Sequence, residues 1–241
     1  MSEDLLQDAK DKIKAKIDAA EKTNGTDEII CIVDRSGSMR GIHIDAAGGL
    51  NSFIDEQKGV GKANLTIVEF DTDVDTVCDQ IDINEATEYK LKPRGMTALL
   101  DAIGLVIGDP DKYETKDGKT IVAIVTDGGE NSSKEWSHAK ITELIEQRKE
   151  DGWEFLFLAS NQDAIAVGTS YGFAAEDTVS FGSNERGISA AMDMQSSYVG
   201  SLRTMCKGDA LAAKAMYVNV CADLSDTGAV DAVDDAEDIK S

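Results

Sequence analysis

Basic residues are in short supply in this chain: 24 of its 241 residues are Lys or Arg, against 46 that are Asp or Glu. The resulting formal charge of −22 argues against a nucleic-acid backbone or an anionic membrane as partner. Histidine is scarcer still, with His43 and His138 alone. A Ser-His-Asp hydrolase would have to use one of these two, and no Gly-x-Ser-x-Gly turn is present to expose a nucleophilic serine. His43 would need to reach back to Ser38 to act as base or ligand, whereas a surface histidine needs no such role. Neither G-x-G-x-x-G nor G-x-x-x-x-G-K-[ST] occurs, so no recognisable glycine loop waits for a nucleotide's phosphates. The four cysteines, Cys31, Cys78, Cys206 and Cys221, lack C-x-x-C spacing and are expected to be free thiols. No apolar run approaches the ~20 residues of a membrane span. Residues 1–14 are charged throughout, unlike a secretory signal, so a cytoplasmic location is expected.

What the chain does have is organised around Ile29-Ile30-Cys31-Ile32-Val33-Asp34-Arg35-Ser36-Gly37-Ser38-Met39. Five apolar residues, most of them β-branched, predict a strand buried on both faces. A core has no use for its ending, an acid and two hydroxyls at Asp34, Ser36 and Ser38, spaced at i, i+2 and i+4 around Gly37. The helical pattern begins near Gly41, so oxygen groups converge where strand passes to helix. That chemistry suits a hard divalent cation, which takes oxygen ligands. Because serine brings oxygen without charge, the cation would be less neutralised than in a carboxylate cage and would still attract an outside anion.

Two later stretches offer oxygen at corresponding places. Gly95-Met96-Thr97-Ala98-Leu99-Leu100-Asp101 opens a helix with a threonine, and Ile121-Val122-Ala123-Ile124-Val125-Thr126-Asp127-Gly128-Gly129 repeats the scheme of strand, acid and glycine turn. Asp34-x-Ser36-x-Ser38, Thr97 and Asp127, in that order, resemble the metal-ion-dependent adhesion site of von Willebrand factor type A domains. The resemblance runs from about Asp27 to Met205, and its wording is most similar to small stand-alone bacterial and phage members, which would also allow a phage-associated location. It implies that Ser36, Ser38 and Thr97 touch a Mg²⁺ ion, with Mn²⁺ or Ca²⁺ as substitutes, and that Asp34 and Asp127 act largely through water. Arg35, Asp101, Gly128 and Glu130 would rim or support the site. It further implies a non-enzymatic protein-binding module whose partner supplies an Asp or Glu to the metal. The rival is a metal-dependent phosphatase or hydrolase built on the same acidic loops. A phosphoaspartyl site, however, needs a second acid beside its nucleophile and a lysine for the phosphate, and Asp34-Arg35-Ser36 offers no such acid.

Strands alternate with helical patterns along the chain, which predicts an α/β fold with a mainly parallel sheet covered on both faces. Strands are expected over residues 29–33, 63–70, 74–83, 120–126, 153–159 and 178–181, with helices over 42–58, 97–107, 135–149, 163–171 and 185–206. Only Asp71-Thr72-Asp73 separates the second and third strands, so the third is expected to run antiparallel as a sheet edge. The strand order 3-2-1-4-5-6, Rossmann-like and doubly wound, is implied by the resemblance. Asp71, Asp73, Asp75, Asp79 and Asp82 imitate a calcium loop, but Thr76 stands where an EF-hand needs glycine, and a solvated hairpin is the simpler expectation.

Three regions follow from this patterning: an amphipathic helix in residues 1–24, the A-like domain in 25–207, and a helix with an acidic tail in 208–241. The tail carries Asp223, Asp226, Asp231, Asp234, Asp235, Glu237 and Asp238 against Lys240, with too little apolar surface to order itself. Truncation after Ala222 is therefore expected to move the melting temperature by no more than about 2 °C; a larger loss would show that the tail packs.

Overall fold

The structure, a computed structural model, describes residues 25–115, 117–160, 164–181 and 185–204. The helix expected in residues 1–24, residues 161–163, Cys206, Cys221, the helix expected in 210–220 and the acidic tail lie outside them.

Six strands, β1 (Asp27–Asp34), β2 (Ala63–Phe70), β3 (Val74–Asp82), β4 (Thr120–Thr126), β5 (Glu154–Ala159) and β6 (Thr178–Ser180), form one sheet. Its order is β3-β2-β1-β4-β5-β6. Only β3 runs antiparallel to its neighbour, as the three-residue connection to β2 requires. At the edge, β3 is irregular: Gln80 has φ +48°, the register shifts beside it, and its N–H is taken by the Thr66 hydroxyl at 3.0 Å.

Alternation along each central strand divides its side chains between two cores. Ile29, Cys31 and Val33 join the core covered by α1 (His43–Lys58) and α5 (Glu185–Thr204), through residues such as Leu50, Phe53, Met192 and Val199. Ile30 and Ile32 join the opposite core, covered by α2 (Leu99–Ile107) and α3 (His138–Glu150), through Ile103, Val106, Ile141 and Ile145. A short α4 (Ala164–Ser170) leads into Tyr171 and Phe173, which join the second core. Because both faces are covered, β1 and β4 are apolar almost to their ends, and polarity is confined to the strand termini. Cys31 and Cys78 are free thiols, the first fully buried. Among the described residues no helix is long and apolar enough to cross a membrane.

Two helices begin later than their hydrophobic pattern suggests, because the residue before each start has non-helical backbone. Residues 135 and 136 were expected in α3, but Ser137 is extended, at φ −94° and ψ 154°, and the N–H groups of Lys134, Glu135 and Trp136 are all given to the Asp101 carboxylate at 2.8–3.0 Å. The helix then starts at His138, with Ser137 as its cap. Thr97 was expected at the start of α2, but its N–H is bonded to Asn131 Oδ1 at 2.9 Å, and the helix starts at Leu99. Trp136 closes the same contact by laying its indole over Gly104, where an added Cβ would fall 2.3 Å from the ring.

At the amino-terminal ends of the central strands, away from these loops, Arg203 of α5 ties the C-terminal end of the described chain to its beginning. Its Nε donates to Asp27 Oδ2 at 2.8 Å, and its other nitrogens donate to the carbonyls of Gln57, Gly61 and Lys62. Both side chains of the ion pair are nearly inaccessible, at 1% and 7% exposure, so removing one partner strands the other's charge. Arg203→Met is expected to cost about 3–5 kcal/mol of unfolding free energy. Adding Asp27→Asn should recover part of that loss in a double-mutant cycle by chemical denaturation; simple additivity would show that the two do not act as a pair.

Candidate metal centre

Parity and register build the floor of the site. Asp34 continues the Ile30–Ile32 face of β1, and Thr126 continues the Val122–Ile124 face of β4. Since Val33 pairs with Val125, these two polar residues come next and lie side by side. The Thr126 hydroxyl donates to Asp34 Oδ2 at 2.6 Å, and the Ser36 N–H donates to Asp34 Oδ1 at 2.6 Å. Asp34 is 0% exposed, with both oxygens engaged.

After Asp34 the chain turns through a short 3₁₀ segment, Gly37–Gly41, before α1. Ser36 occupies the N-cap position, yet its hydroxyl caps nothing there. It meets Ser38 Oγ at 2.9 Å instead, and Ser38 Oγ donates to Asp127 Oδ1 at 2.6 Å. Asp34, Ser36 and Thr97 are buried, Ser38 is exposed and Asp127 is half-buried, so the cluster has a closed floor and an open lip.

Thr97 enters from a third loop held by neighbours rather than by its own helix. Its carbonyl accepts the N–H groups of Asn131 and Ser132 at 3.0 and 3.2 Å. The first turn of α2 leaves N–H groups without helical partners. The Glu130 carboxylate takes that of Leu100 at 2.9 Å, and the Ser133 hydroxyl takes that of Asp101 at 3.1 Å. Glu130 also accepts from the N–H groups of Ser132 and Ser133, so one side chain fixes the β4–α3 loop to the start of α2. Asp101 does the same from the other side through residues 134–136.

The five residues expected as ligands thus come together. A Cβ placed on Gly128 would lie 3.4 Å from Thr97 Oγ1, 3.5 Å from Ser38 Oγ and 3.9 Å from Asp34 Oδ2, so oxygens from two loops surround one small space that the glycine of a third leaves open. Arg35 behaves differently from a rim cation. Its guanidinium is buried and donates to Asp71 Oδ2 at 2.7 Å, to Glu69 Oε2 at 2.9 Å and to Asp75, so its charge is committed to carboxylates of the β2–β3 hairpin. Four of the five calcium-like acids are committed too: Asp71 and Asp75 to arginines, Asp79 to Lys112 at 2.9 Å, and Asp82 to Asn84. Among the described residues no three His, Cys, Asp or Glu side chains gather as a metal cage. The hydroxyl-rich cluster is where a hard cation fits.

Thr126, Asn131 and Ser133 carry structural duties in the site that motif spacing did not single out. The parity of β4 would have pointed to Thr126; for the other two, which act through backbone groups of a folded loop, no sequence signal exists. Neither histidine is bonded to Ser36 or Ser38: His43 Nδ1 is 2.9 Å from the Arg40 carbonyl and His138 Nε2 is 3.3 Å from Ser170 Oγ.

Burial raises the pKa of Asp34 above its ordinary value; the bonds from Thr126 and Ser36 offset this only in part, and the nearby charge of Asp127 adds to it. Burial also raises Asp127, against the bond from Ser38. Without a cation the cluster therefore holds two carboxylates that resist ionisation.

Solved structures share this architecture at low sequence identity. Proximal thread matrix protein 1 from the mussel byssus, in a structure with a zinc-occupied MIDAS motif, matches with a TM-score of 0.55 over 73% of this chain and 46% of that one, at 16% identity. A von Willebrand factor type A protein from Catenulispora acidiphila matches at 0.52 over 73% and 43%, at 13% identity. The PilB minor pilin from Streptococcus sanguinis matches at 0.56 over 73% and 61%, at 11% identity. The matched region thus accounts for 43–61% of the length of these structures. The chain has the fold of a von Willebrand factor A domain. No protein-family model and no curated protein matches the sequence.

A carboxyl whose pKa is raised by folding favours the folded state while protonated, and that advantage is lost as pH rises from the unfolded value through the raised one. For Asp34 the window opens near 3.8. In chelator, the stability of the wild type relative to Asp34→Asn is expected to fall as pH rises across it and then level off. A relative gain with pH would mean that the donors outweigh burial.

Proposed function

We propose that this chain, with its von Willebrand factor A fold, is a divalent-cation-dependent protein-binding module that holds Mg²⁺ on Ser36, Ser38 and Thr97, with Asp34 and Asp127 behind them. The observation that carries this is the convergence of Thr97, Ser38 and Asp34 oxygens on the space beside Gly128. The 2.9 Å hydrogen bond between Ser36 Oγ and Ser38 Oγ holds the two hydroxyls close enough to share one small divalent cation. The zinc-occupied motif of the mussel protein supports a divalent cation at such a site.

When bound, the cation would supply a Lewis-acidic contact for an anionic oxygen arriving from outside. The chain's residues do the rest. Asp34 and Asp127 bring two negative charges and the three hydroxyls add none, so a divalent cation would be balanced but not over-neutralised and could still take an anionic oxygen from outside. Ser38 and Asp127 form the accessible lip, where a partner's Asp or Glu carboxylate would enter. Since the chain carries −22 overall, a partner with basic surface around that single acid would be drawn in, and a uniformly acidic one repelled. Binding without turnover fits a cluster whose serines face no nitrogen base.

Thermal melting tests the cation. At a Mg²⁺ concentration of ~100 times Kd, mass action adds about 2.7 kcal/mol, a rise of roughly 5–10 °C for a domain of this size. Asp34→Ala and Ser38→Ala are expected to abolish the rise, and equal shifts in wild type and variants would remove the proposed site. Affinity capture with Mg²⁺ and with chelator tests the partner: capture should need the metal and fail in Thr97→Ala. Metal-independent capture would place the interface elsewhere, and Asp34-dependent turnover of a generic phosphoester would replace binding with catalysis.

A further inference from the structure

Beside the cluster, at the end of the neighbouring strand β2, lies a second polar network, centred on Asp71, that metal ligation leaves unused. Asp71 opens the β2–β3 turn and is 2% exposed. Its Oδ2 accepts from Arg35 Nε at 2.7 Å and from Arg94 Nε at 2.6 Å, its Oδ1 from the Asp73 N–H at 2.9 Å, and its carbonyl from the Ala98 N–H at 2.7 Å. Arg35 belongs to the loop of Ser36 and Ser38, while Arg94 and Ala98 bracket Thr97. One carboxylate therefore grips both loops that carry the hydroxyls.

The grip is tight along the backbone as well. The Arg94 N–H donates to the Arg35 carbonyl at 2.7 Å, and the Gly37 N–H donates to the Gly95 carbonyl at 3.2 Å. Gly95 has φ +70°, and a Cβ there would meet Thr72 Oγ1 at 2.9 Å and Asp71 Cβ at 3.1 Å, so the loop presses against the turn where only glycine fits. Glu69 steadies Arg35 from behind and is itself held by the Tyr89 hydroxyl at 2.7 Å. The gap between Ser36 and Ser38 is set within one turn. The gap from that pair to Thr97 spans two loops distant in sequence, and no covalent connection sets it.

We propose that Asp71 is the positioning residue of the cluster: by joining Arg35 and Arg94 to one carboxylate it fixes the spacing between the serine hydroxyls and Thr97, and so the size of cation the site accepts. It depends on the cation binding proposed above. Mg²⁺ demands short bonds and near-ideal octahedral geometry, whereas Ca²⁺ tolerates longer bonds and irregular shells. A spacing held by charge-assisted bonds favours the first, and a slack one favours the second. Supporting residues of this kind change metal affinity by about 10–100-fold when removed.

Asp71→Asn keeps the shape and removes the charge; Arg94→Gln releases one arm from a side chain that is 60% exposed, and folding should survive it. Two measurements decide. In the metal-free protein, amide exchange at Gly37, Arg94 and Ala98 should quicken about tenfold or more in Asp71→Asn, and to a lesser extent in Arg94→Gln. By calorimetric titration, the ratio of Mg²⁺ to Ca²⁺ affinity should fall by about tenfold or more in Asp71→Asn and in the same direction in Arg94→Gln. General destabilisation would weaken both cations and leave the ratio alone. If the wild type binds Mg²⁺ and both variants keep its ratio, Asp71 does not position the site although the site exists. If the wild type gives no heat with either cation, the metal site falls and this role falls with it. Should Asp71→Asn fail to fold, Arg94→Gln alone decides by the same two measurements.

Discussion

A carboxylate withdrawn from water at the end of a strand must be held by donors, and meeting that condition for Asp34 shapes everything near it. One donor is the Ser36 N–H, available only if the chain turns sharply after β1. The other is the Thr126 hydroxyl, available only if β4 lies parallel beside β1 with its last residue on the same face. Strand order, register and loop path are thus tied to a single side chain. The two bonds still leave Asp34 reluctant to ionise, because they do not replace the hydration it lost. An arrangement that withholds water from an acid and then surrounds it with neutral hydroxyls is poised for a positive charge from outside the chain.

Much of this was legible in the sequence, for reasons that also mark where legibility stops. The central strands announce themselves because burial on both faces makes them continuously apolar, and their acid endings stand out against that background. Asp34, Ser36 and Ser38 share one turn, so spacing alone brings them together; bringing Thr97 and Asp127 to them needed the strand order, which the family resemblance implied and residue pattern did not. Thr126 could have been found by counting parity from Val122. Asn131, Ser133 and Asp71 could not, since each works on a backbone group or side chain from a segment remote in sequence. The late starts of α2 and α3 follow from the non-helical backbone of Ala98 and Ser137, which the hydrophobic pattern does not register. Arg35, expected as a cation on the rim, shows how a side chain's direction escapes sequence altogether.

The acid surplus has an ordered distribution where the structure describes it. Carboxylates near the strand ends are assigned to separate tasks: Asp101 and Glu130 collect loop N–H groups, Asp71 and Asp75 take arginines, and Asp34 and Asp127 alone face the hydroxyls. Loop carboxylates bonded in this way are not at liberty to crowd the cluster and turn it into an over-neutralised cage. The −22 charge would act at long range on whatever approaches, and the cluster only at contact.

The bond between Arg203 and Asp27 has a mechanical consequence. It places the beginning of β1 and the end of α5 side by side, at the amino-terminal ends of the central strands and away from Ser36 and Ser38. Tension entering through one of these segments and leaving through the other would pass across that ion pair and the short stretch of backbone around it. The carboxyl ends of the strands, with their three loops, would lie off the line of force. A molecule tethered at the amino-terminal ends could be pulled hard and still present an undistorted face at the other, with the sheet between them spared deformation.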